Sequence, residues 1–208
     1  MRALLLFARG RHWLAASLIC LSSGLFLLGC GSLSYSLNPR GGYLVTVAAQ
    51  VPIFAAIAIQ ASLASPLNRV ERAAARPIGR WLFLHLCSLT VVASAGMSIA
   101  ASFLPSTAEH GVIPPGAVGL GRNLLAFTGV GLIGAAIFGP LIGWILPLAW
   151  AILPYVALPN PSYDPSGLLM LATQPDEAFI PFFVALVIWS VGVGLAINRI
   201  GIERLDRN

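Results

Sequence analysis

The chain has 208 residues, of which 58% are hydrophobic and only 9% are charged, and its formal net charge is +5. A soluble domain of this size carries roughly a quarter charged residues, so this composition cannot cover a water-facing surface. The apolar residues fall in blocks, and about 20 mostly apolar residues are needed to cross a bilayer core as a helix. Composition therefore excludes a soluble globular protein and predicts an all-α, polytopic membrane protein in the lipid bilayer.

Six transmembrane helices are predicted, all within a single domain covering 1–208. The predicted spans are 13–33, 42–64, 81–104, 123–139, 141–158 and 178–197. Fourth and fifth spans share one apolar block of 35 residues, 124–158, which is too long for a single crossing. Gly139 and Pro140 near its middle predict a break, so we interpret the block as a tight hairpin. A re-entrant segment is the alternative.

The first span follows three arginines, Arg2, Arg9 and Arg11. Its end, Leu-Leu-Gly-Cys at 27–30, resembles a lipobox, so a cleaved signal peptide with a lipidated Cys30 is an alternative. The strong apolar spans downstream favour a retained first helix. The three cysteines show no CxxC spacing, and neither a metal site nor a disulfide is predicted.

Polar residues inside the spans are the candidates for an internal surface. Gln50 and Gln60 lie in the second predicted span, and Asn123 and Thr128 lie in the fourth. Polar groups in hydrocarbon need partners, so these side chains are expected to face the bundle rather than lipid. They therefore either pack between helices or line a translocation path.

Residues 65–80 interrupt the apolar pattern between the second and third spans. Arg69, Arg72 and Arg76 recur at intervals of three and four residues, which places them on one helical face. The sequence predicts a short surface helix here, with Glu71 beside the arginines.

The arginines also predict the orientation of the chain. If the N-terminus is cytoplasmic and there are six spans, ten arginines face the cytoplasm and only Arg40 and Arg122 lie outside. This asymmetry is the one that the positive-inside rule favours. It also accounts for the net positive charge without nucleic acid, so no nucleic-acid partner is predicted.

No pattern in the chain indicates catalysis. The predicted spans contain no carboxylate pair and no Gly-x-Ser-x-Gly or His-Glu-x-x-His motif, so no catalytic residue is assigned. His85, near the start of the third span, is interpreted as a hydrogen-bonded interfacial residue rather than a base. The spans also lack the ionisable residues on which ion-coupled carriers depend. All twelve basic residues are arginine, so the chain has no lysine for a Walker A loop.

Small residues in the fourth and fifth spans follow a period of four: Gly131, Ala135, Gly139 and Gly143. Such spacing lets helices approach closely. We expect packing within the chain here, with a seam between two copies as the alternative.

Three stretches together resemble the membrane subunits of bacterial ABC exporters of the ABC-2 class, particularly compact actinobacterial ones. They are Ser65-Pro66 with Val70-Glu71-Arg72 and Ala75-Arg76-Pro77, then Arg122-Asn123-Leu124-Leu125 with Thr128-Gly129 and Trp144-Ile145-Leu146-Pro147-Leu148-Ala149, and finally Gln174-Pro175-Asp176. The resemblance implies six spans per subunit, a homo- or heterodimer of permease subunits, and two ATPase chains. It implies that Arg69, Glu71, Arg72 and Arg76 form the coupling helix that docks on the ATPase, and that an extracellular hairpin precedes the last span.

The expected function is that of a permease subunit in the bacterial plasma membrane. ATP and Mg would be bound by the partner ATPase, and this chain would need no cofactor of its own. A non-transporting membrane immunity or assembly subunit is the alternative function. A path without charged walls would suit an amphipathic or lipid-like substrate.

Overall fold

The computed structural model of the protein describes residues 13–31, 33–35, 45–64, 78–104, 115–157, 171–174 and 176–205. The helices are α1 (Trp13–Cys30), α2 (Pro52–Ala61), α3 (Ile78–Ala101), α4 (Ala117–Phe138), α5 (Ile145–Ala157) and α6 (Phe179–Leu205). Short 3₁₀ turns cover Val47–Ala49 and Leu171–Thr173. The strands β1 (Ser34–Tyr35) and β2 (Val45–Thr46) form one short antiparallel pair before α2.

Four of these helices are long and apolar enough to cross a membrane. They are α1, α4, the part Gly79–Ala101 of α3 and the part Phe179–Arg199 of α6. The prediction of a helical membrane protein is confirmed at this level. The other two predicted spans contain shorter helices, α2 with 10 residues and α5 with 13. At 1.5 Å per residue these helices are only about 15 and 20 Å long.

The described helices alternate in direction along the chain. α1 runs parallel to α3, α2 and α6 run parallel to α4, and α5 runs antiparallel to α4. Two contacts define each direction. For α1 and α3 they are Trp13 with Ser88 and Gly31 with Leu104, and for α2 and α4 they are Ala49 with Asn123 and Gln60 with Pro140. For α4 and α6 they are Gly116 with Asp176 and Ala135 with Arg199, and for α4 and α5 they are Gly134 with Gly143 and Phe127 with Trp150.

The alternation gives the bundle two distinct ends. At the Arg199 end lie the start of α1, the end of α2, the start of α3 and the turn between α4 and α5. At the Arg122 end lie the β-strand pair, the start of α4 and the segment before α6. The residues Arg69, Glu71, Arg72 and Arg76, with the surface helix predicted for them, lie outside the described residues.

α4 is the central helix, because it packs against α2, α3, α5 and α6. In its membrane-length stretch 67% of the residues are buried, compared with 28–39% in the corresponding stretches of α1, α3 and α6. α4 therefore has protein on most of its circumference, and the other long helices expose more apolar side chains.

Glycines allow the closest helix contacts. A Cβ atom on Gly129 or Gly192 would collide with the backbone of the facing helix, so α4 and α6 touch there backbone to backbone. Gly134 and Gly143 make the same kind of contact between α4 and α5. Without a hydrophobic force between helices in lipid, such close packing supplies the attraction. Ala135 and Gly143, which follow the four-residue period of small residues, are therefore used for packing within the chain.

The break expected at Gly139 and Pro140 is present. α4 ends at Phe138, Gly139 has a φ of 95° and a ψ of 157°, and α5 begins at Ile145. Glycine adopts this conformation readily because it has no Cβ. The chain reverses direction over the five residues that follow Gly139, so α4 and α5 form a hairpin.

Candidate functional site

The most polar part of the interior lies at the Arg122 end, where α4 begins. α4 starts six residues before the predicted fourth span, so Arg122, which was expected just before that span, lies inside the helix together with Asn123. Both side chains are 0% exposed. The site is built from these two residues and from residues 171–174 and 176–177, which precede α6 and which we call the strap.

Arg122 joins α4 to the strap. Its Nη2 donates to the carbonyl oxygen of Gln174 at 2.7 Å, and its Nε donates to Oδ1 of Asn123 at 3.2 Å. A buried arginine carries five N–H donors and no acceptor, so it must find oxygen atoms nearby. Hydrogen bonds to a charged group contribute about 1.5–3 kcal/mol each, roughly twice a neutral one.

Asn123 connects three segments of the chain. Its Nδ2 donates to the carbonyl of Ala172 in the strap at 2.8 Å and to the carbonyl of Ala49 at 3.1 Å. Ala49 ends the 3₁₀ turn that leads into α2. The Oδ1 atom of Asn123 accepts a hydrogen bond from Arg122. One amide thus ties the start of α2 and the strap to α4.

Asp176 places a negative charge at the start of α4. Its carboxylate lies against the α-carbons of Gly116 and Gly119, and a Cβ at either glycine would collide with it. The first backbone N–H groups of a helix lack partners and form the positive end of its dipole, where a carboxylate is favourable. Asp176 also interacts electrostatically with Arg122, and so it offsets the unfavourable position of an arginine near that positive end.

A small recess opens beside the polar cluster. It is lined by Asn123, Ala126 and Phe127 of α4, Trp150 and Ala151 of α5, and Leu171 and Ala172 of the strap. Its cavity volume of about 10 Å³ is close to the minimum for one water molecule. The Phe127 and Trp150 rings meet edge to face, with their centroids 6.1 Å apart.

The Arg199 end has different polar contacts. Arg199 of α6 donates through Nη1 to the carbonyl of Ala135 at 2.8 Å and also to that of Ala136, in the last turn of α4. The last carbonyls of a helix lack intrahelical partners, and a cation there complements the helix dipole. Arg199 therefore caps α4 from the neighbouring helix.

His85 lies at the same end and is hydrogen-bonded, as its position predicted. Its Nε2 is 2.9 Å from Oγ of Ser62, and that hydroxyl donates to the carbonyl of Ile59 at 2.6 Å. The pair joins the end of α2 to α3.

The four polar candidates from the sequence are separated along the bundle. Gln50 is half-buried just before α2, at the Arg122 end with Asn123. Gln60 lies near the other end of α2, where its Nε2 donates to the carbonyl of Pro140 at 3.1 Å. Thr128 is fully buried in the middle of α4. Asn123 and the Gln60 amide nitrogen thus have hydrogen-bond partners in neighbouring segments.

Two oxygens in the middle of the bundle remain without a hydrogen-bond partner among the described residues. They are Oε1 of Gln60, which lies over Gly131, and Oγ1 of Thr128. Both belong to residues that are at most 1% exposed. No described group of three His, Cys, Asp or Glu side chains could hold a metal ion.

Sequence reasoning did not single out Asp176 and Arg199 as contacts of α4. The available signal was the spacing of Gly116 and Gly119, three residues apart before an arginine, since small residues at the start of a helix leave room for another segment. A scan against protein-family models, a search of curated proteins and a search of solved structures each found no match. The residues themselves therefore carry the functional argument.

Proposed function

We propose that this chain is the membrane-spanning subunit of an ATP-driven exporter in the bacterial plasma membrane, with a separate ATPase chain as its partner. The proposal includes six crossings with both ends in the cytoplasm and a second permease subunit, identical or different. The likeness to ABC-2 exporter subunits supports it, and so does the lack of any lysine that could serve a Walker A loop.

The observation that carries the proposal is the position of the junction between α2 and α3. α2 ends and α3 begins at the Arg199 end, where Ser62 contacts His85 and where a Cβ on Gly79 would approach Ile197 of α6 at 3.1 Å. The arginine-rich residues 65–77 join these two helices, while Arg199 and Arg204 lie near the end of α6 and Arg207 follows it in the sequence. Basic residues of two separate segments thus connect to the same end, which supports a cytoplasmic docking surface.

The alternating directions of the helices support the six-span topology. α2 and α5 are shorter than the bilayer core of about 30 Å, but α1 and α3 point the same way, and so do α4 and α6. The chain must therefore return between the members of each pair. Arg122, the one charged side chain that is fully buried among the described residues, is hydrogen-bonded to Asn123 and to the Gln174 carbonyl, which differs from the unpaired ionisable groups on which ion-coupled carriers depend.

Purification of the tagged chain from its native membrane in mild detergent tests the ATPase partner. We expect a Walker A-containing chain in near-stoichiometric amount and Mg-ATP hydrolysis by the complex. Arg72→Glu with Arg76→Glu should remove the ATPase chain, because an opposite charge at an interface disfavours association. The matched control, Arg204→Glu with Arg207→Glu, reverses two charges in the last five residues of the sequence and should retain the ATPase.

If no ATPase chain accompanies the wild-type protein, the exporter proposal is wrong and the immunity or assembly function becomes the better one. If both double variants retain the ATPase equally, the 65–77 segment is only a topology signal.

Single cysteines test the topology in intact cells. A membrane-impermeant reagent should modify a cysteine at Glu109 or Asp164 and should not modify one at Ala74 or Asp206. Modification at Ala74 from outside would reverse the orientation and exclude a cytoplasmic docking surface there.

A further inference from the structure

The strap is attached to the bundle mainly through side chains. The backbone hydrogen bond that the structure shows for it, from Gln174 N to Leu171 O at 3.4 Å, is internal to the strap. Its polar links to α4 come from Arg122, Asn123 and Asp176. Among the residues that the structure describes, no backbone hydrogen bond joins the strap to a helix, so the strap can leave its place without breaking one.

One apolar side chain seals the strap against the helices. Leu171 is 2% exposed and packs with Ala126 of α4 and Ala185 of α6. Together with Ala172, Leu171 forms the wall of the recess opposite α4 and α5. Removal of the strap would leave Asn123, Phe127 and Trp150 facing an open cavity between the two helices.

The docked strap occupies a space that glycines at the start of α4 leave open. Gly116 has an extended backbone, with φ −77° and ψ −168°, that any residue can adopt, so its glycine is not required by backbone conformation. What a side chain there would meet within 4 Å is the carboxylate of Asp176. The absence of a side chain at Gly116 therefore serves the docking of the strap.

We propose that the strap is a lid on the recess between α4 and α5, held shut by the bond from Arg122 to the Gln174 carbonyl and opened when that bond is released. The lid rests on contacts within this chain and does not depend on an ATPase partner. Only its assignment to the outer face of the membrane depends on the proposed function.

A cysteine in the recess measures the opening. The full chain, with Cys20, Cys30 and Cys87 replaced by alanine and Ala151→Cys added, is purified in detergent and reacted with a polar maleimide. Arg122→Gln should raise the labelling rate about tenfold, the change in population expected from the loss of one hydrogen bond to a charged group. The control Arg199→Gln removes a comparable arginine–carbonyl contact at the other end and should change the rate less than about twofold.

Equal labelling of the parent and Arg122→Gln would overturn the lid, and so would an equal rise in Arg199→Gln, since that would indicate general loosening. These outcomes leave the exporter proposal untouched, because the assay contains no ATPase.

A cross-link tests the same lid without the loss of Arg122. Gly116→Cys with Asp176→Cys places two thiols where the carboxylate now meets the glycine, close enough for disulfide geometry. In the Ala151→Cys background, oxidation should protect Cys at 151 and reduction should expose it in the same folded molecules, as read by peptide mass spectrometry. The lid would be contradicted if the pair fails to cross-link, or if the labelling at position 151 is the same after oxidation and after reduction. This measurement decides the matter if Arg122→Gln does not fold.

Discussion

Arg122 and Arg199 both donate to backbone carbonyls, but they lie at opposite ends of α4 and stabilise different contacts. Arg199 bonds to carbonyls of the last turn of α4, where a helix has unpaired acceptors and a negative dipole end. Arg122 lies near the positive end of the same helix, where its charge is unfavourable. It depends on Asp176 and on the Gln174 carbonyl, which belong to another segment.

The difference shows how one kind of contact can be either permanent or conditional. The partners of Arg199 are part of α4 and remain present as long as the helix does. The Gln174 carbonyl and Asp176 are near Arg122 only while the strap is docked, whereas the bond from Arg122 to Asn123 stays within α4. The Arg199 end is therefore expected to behave as a fixed cap, and the Arg122 end as a contact that can be opened.

The largest effect is expected where α4 and α6 are held together between the two ends. Gly192→Leu would force a side chain into the backbone of Gly129, which cannot move aside, and should cost more than about 3 kcal/mol or prevent folding. Gly194→Leu is the matched control, since a Cβ at Gly194 meets nothing within 4 Å. Reversible unfolding in mixed detergent micelles measures both. Similar losses in the two variants would mean that the α4–α6 contact does not hold the ends together.

Arg122→Gln should cause the next largest loss of stability and should affect only the Arg122 end. The loss of charged hydrogen bonds to Gln174 and Asn123 is expected to lower the free energy of unfolding by about 2–3 kcal/mol. Hydrogen exchange followed by mass spectrometry should show faster exchange of residues 171–177 and unchanged exchange of residues 135–145. Uniformly faster exchange at both ends would break the distinction between them.

Gly139→Ala tests the Arg199 end through the backbone. Its φ of 95° with ψ of 157° is unfavourable for any side chain, so alanine should cost about 1.5 kcal/mol. At the Arg122 end, Gly121→Ala is the matched change, because that glycine is helical and a Cβ meets nothing within 4 Å. It should stabilise the helix by about 0.5 kcal/mol. If both variants change the free energy of unfolding in the same direction in the micelle assay, the result would contradict the turn at Gly139.

The smallest effect is expected for Arg199→Gln, at about 1 kcal/mol, the usual contribution of a cation at a helix C-terminus. The loss should shrink as salt is added, while the loss in Arg122→Gln should not, because buried charges are screened less. Unfolding at two salt concentrations separates the cases. Equal salt dependence would show that the two arginines are equivalent after all.

The sequence predicted the helical membrane class and the break after α4 because both depend on local patterns. Long apolar blocks predict α1, α3 and α6 to within a few residues at their starts, and Gly139 next to Pro140 ends a helix in almost any context. The start of α4 at Ala117 was not predicted. Its first turns contain Gly119 and Gly121, which have poor helix propensity, and Arg122, whose charge is paired by the strap.

The polar cluster could not be found from spacing along the chain. Arg122 and Gln174 are 52 residues apart, and Asn123 and Ala49 are 74 residues apart. Only the tertiary arrangement brings them together. Each bond ends on a backbone carbonyl, which every residue type has, so the sequence does not reveal the partner. The described part of the second predicted span likewise starts with strand β2 and a 3₁₀ turn rather than a helix, since Val45 and Thr46 find a strand partner at 34–35.

The central place of α4 predicts how unevenly the molecule tolerates variation. An exposed position such as Leu14 of α1 or Phe183 of α6 needs only to remain apolar, so many exchanges among large hydrophobic residues should be neutral there. In α4 most positions meet other helices, and even one added methyl group can collide with a neighbouring backbone. A library of random variants selected for insertion and folding should therefore accumulate changes freely on α1 and the lipid face of α6. The same library should leave the inner face of α4 almost unaltered, and that contrast would be visible from sequence counts alone.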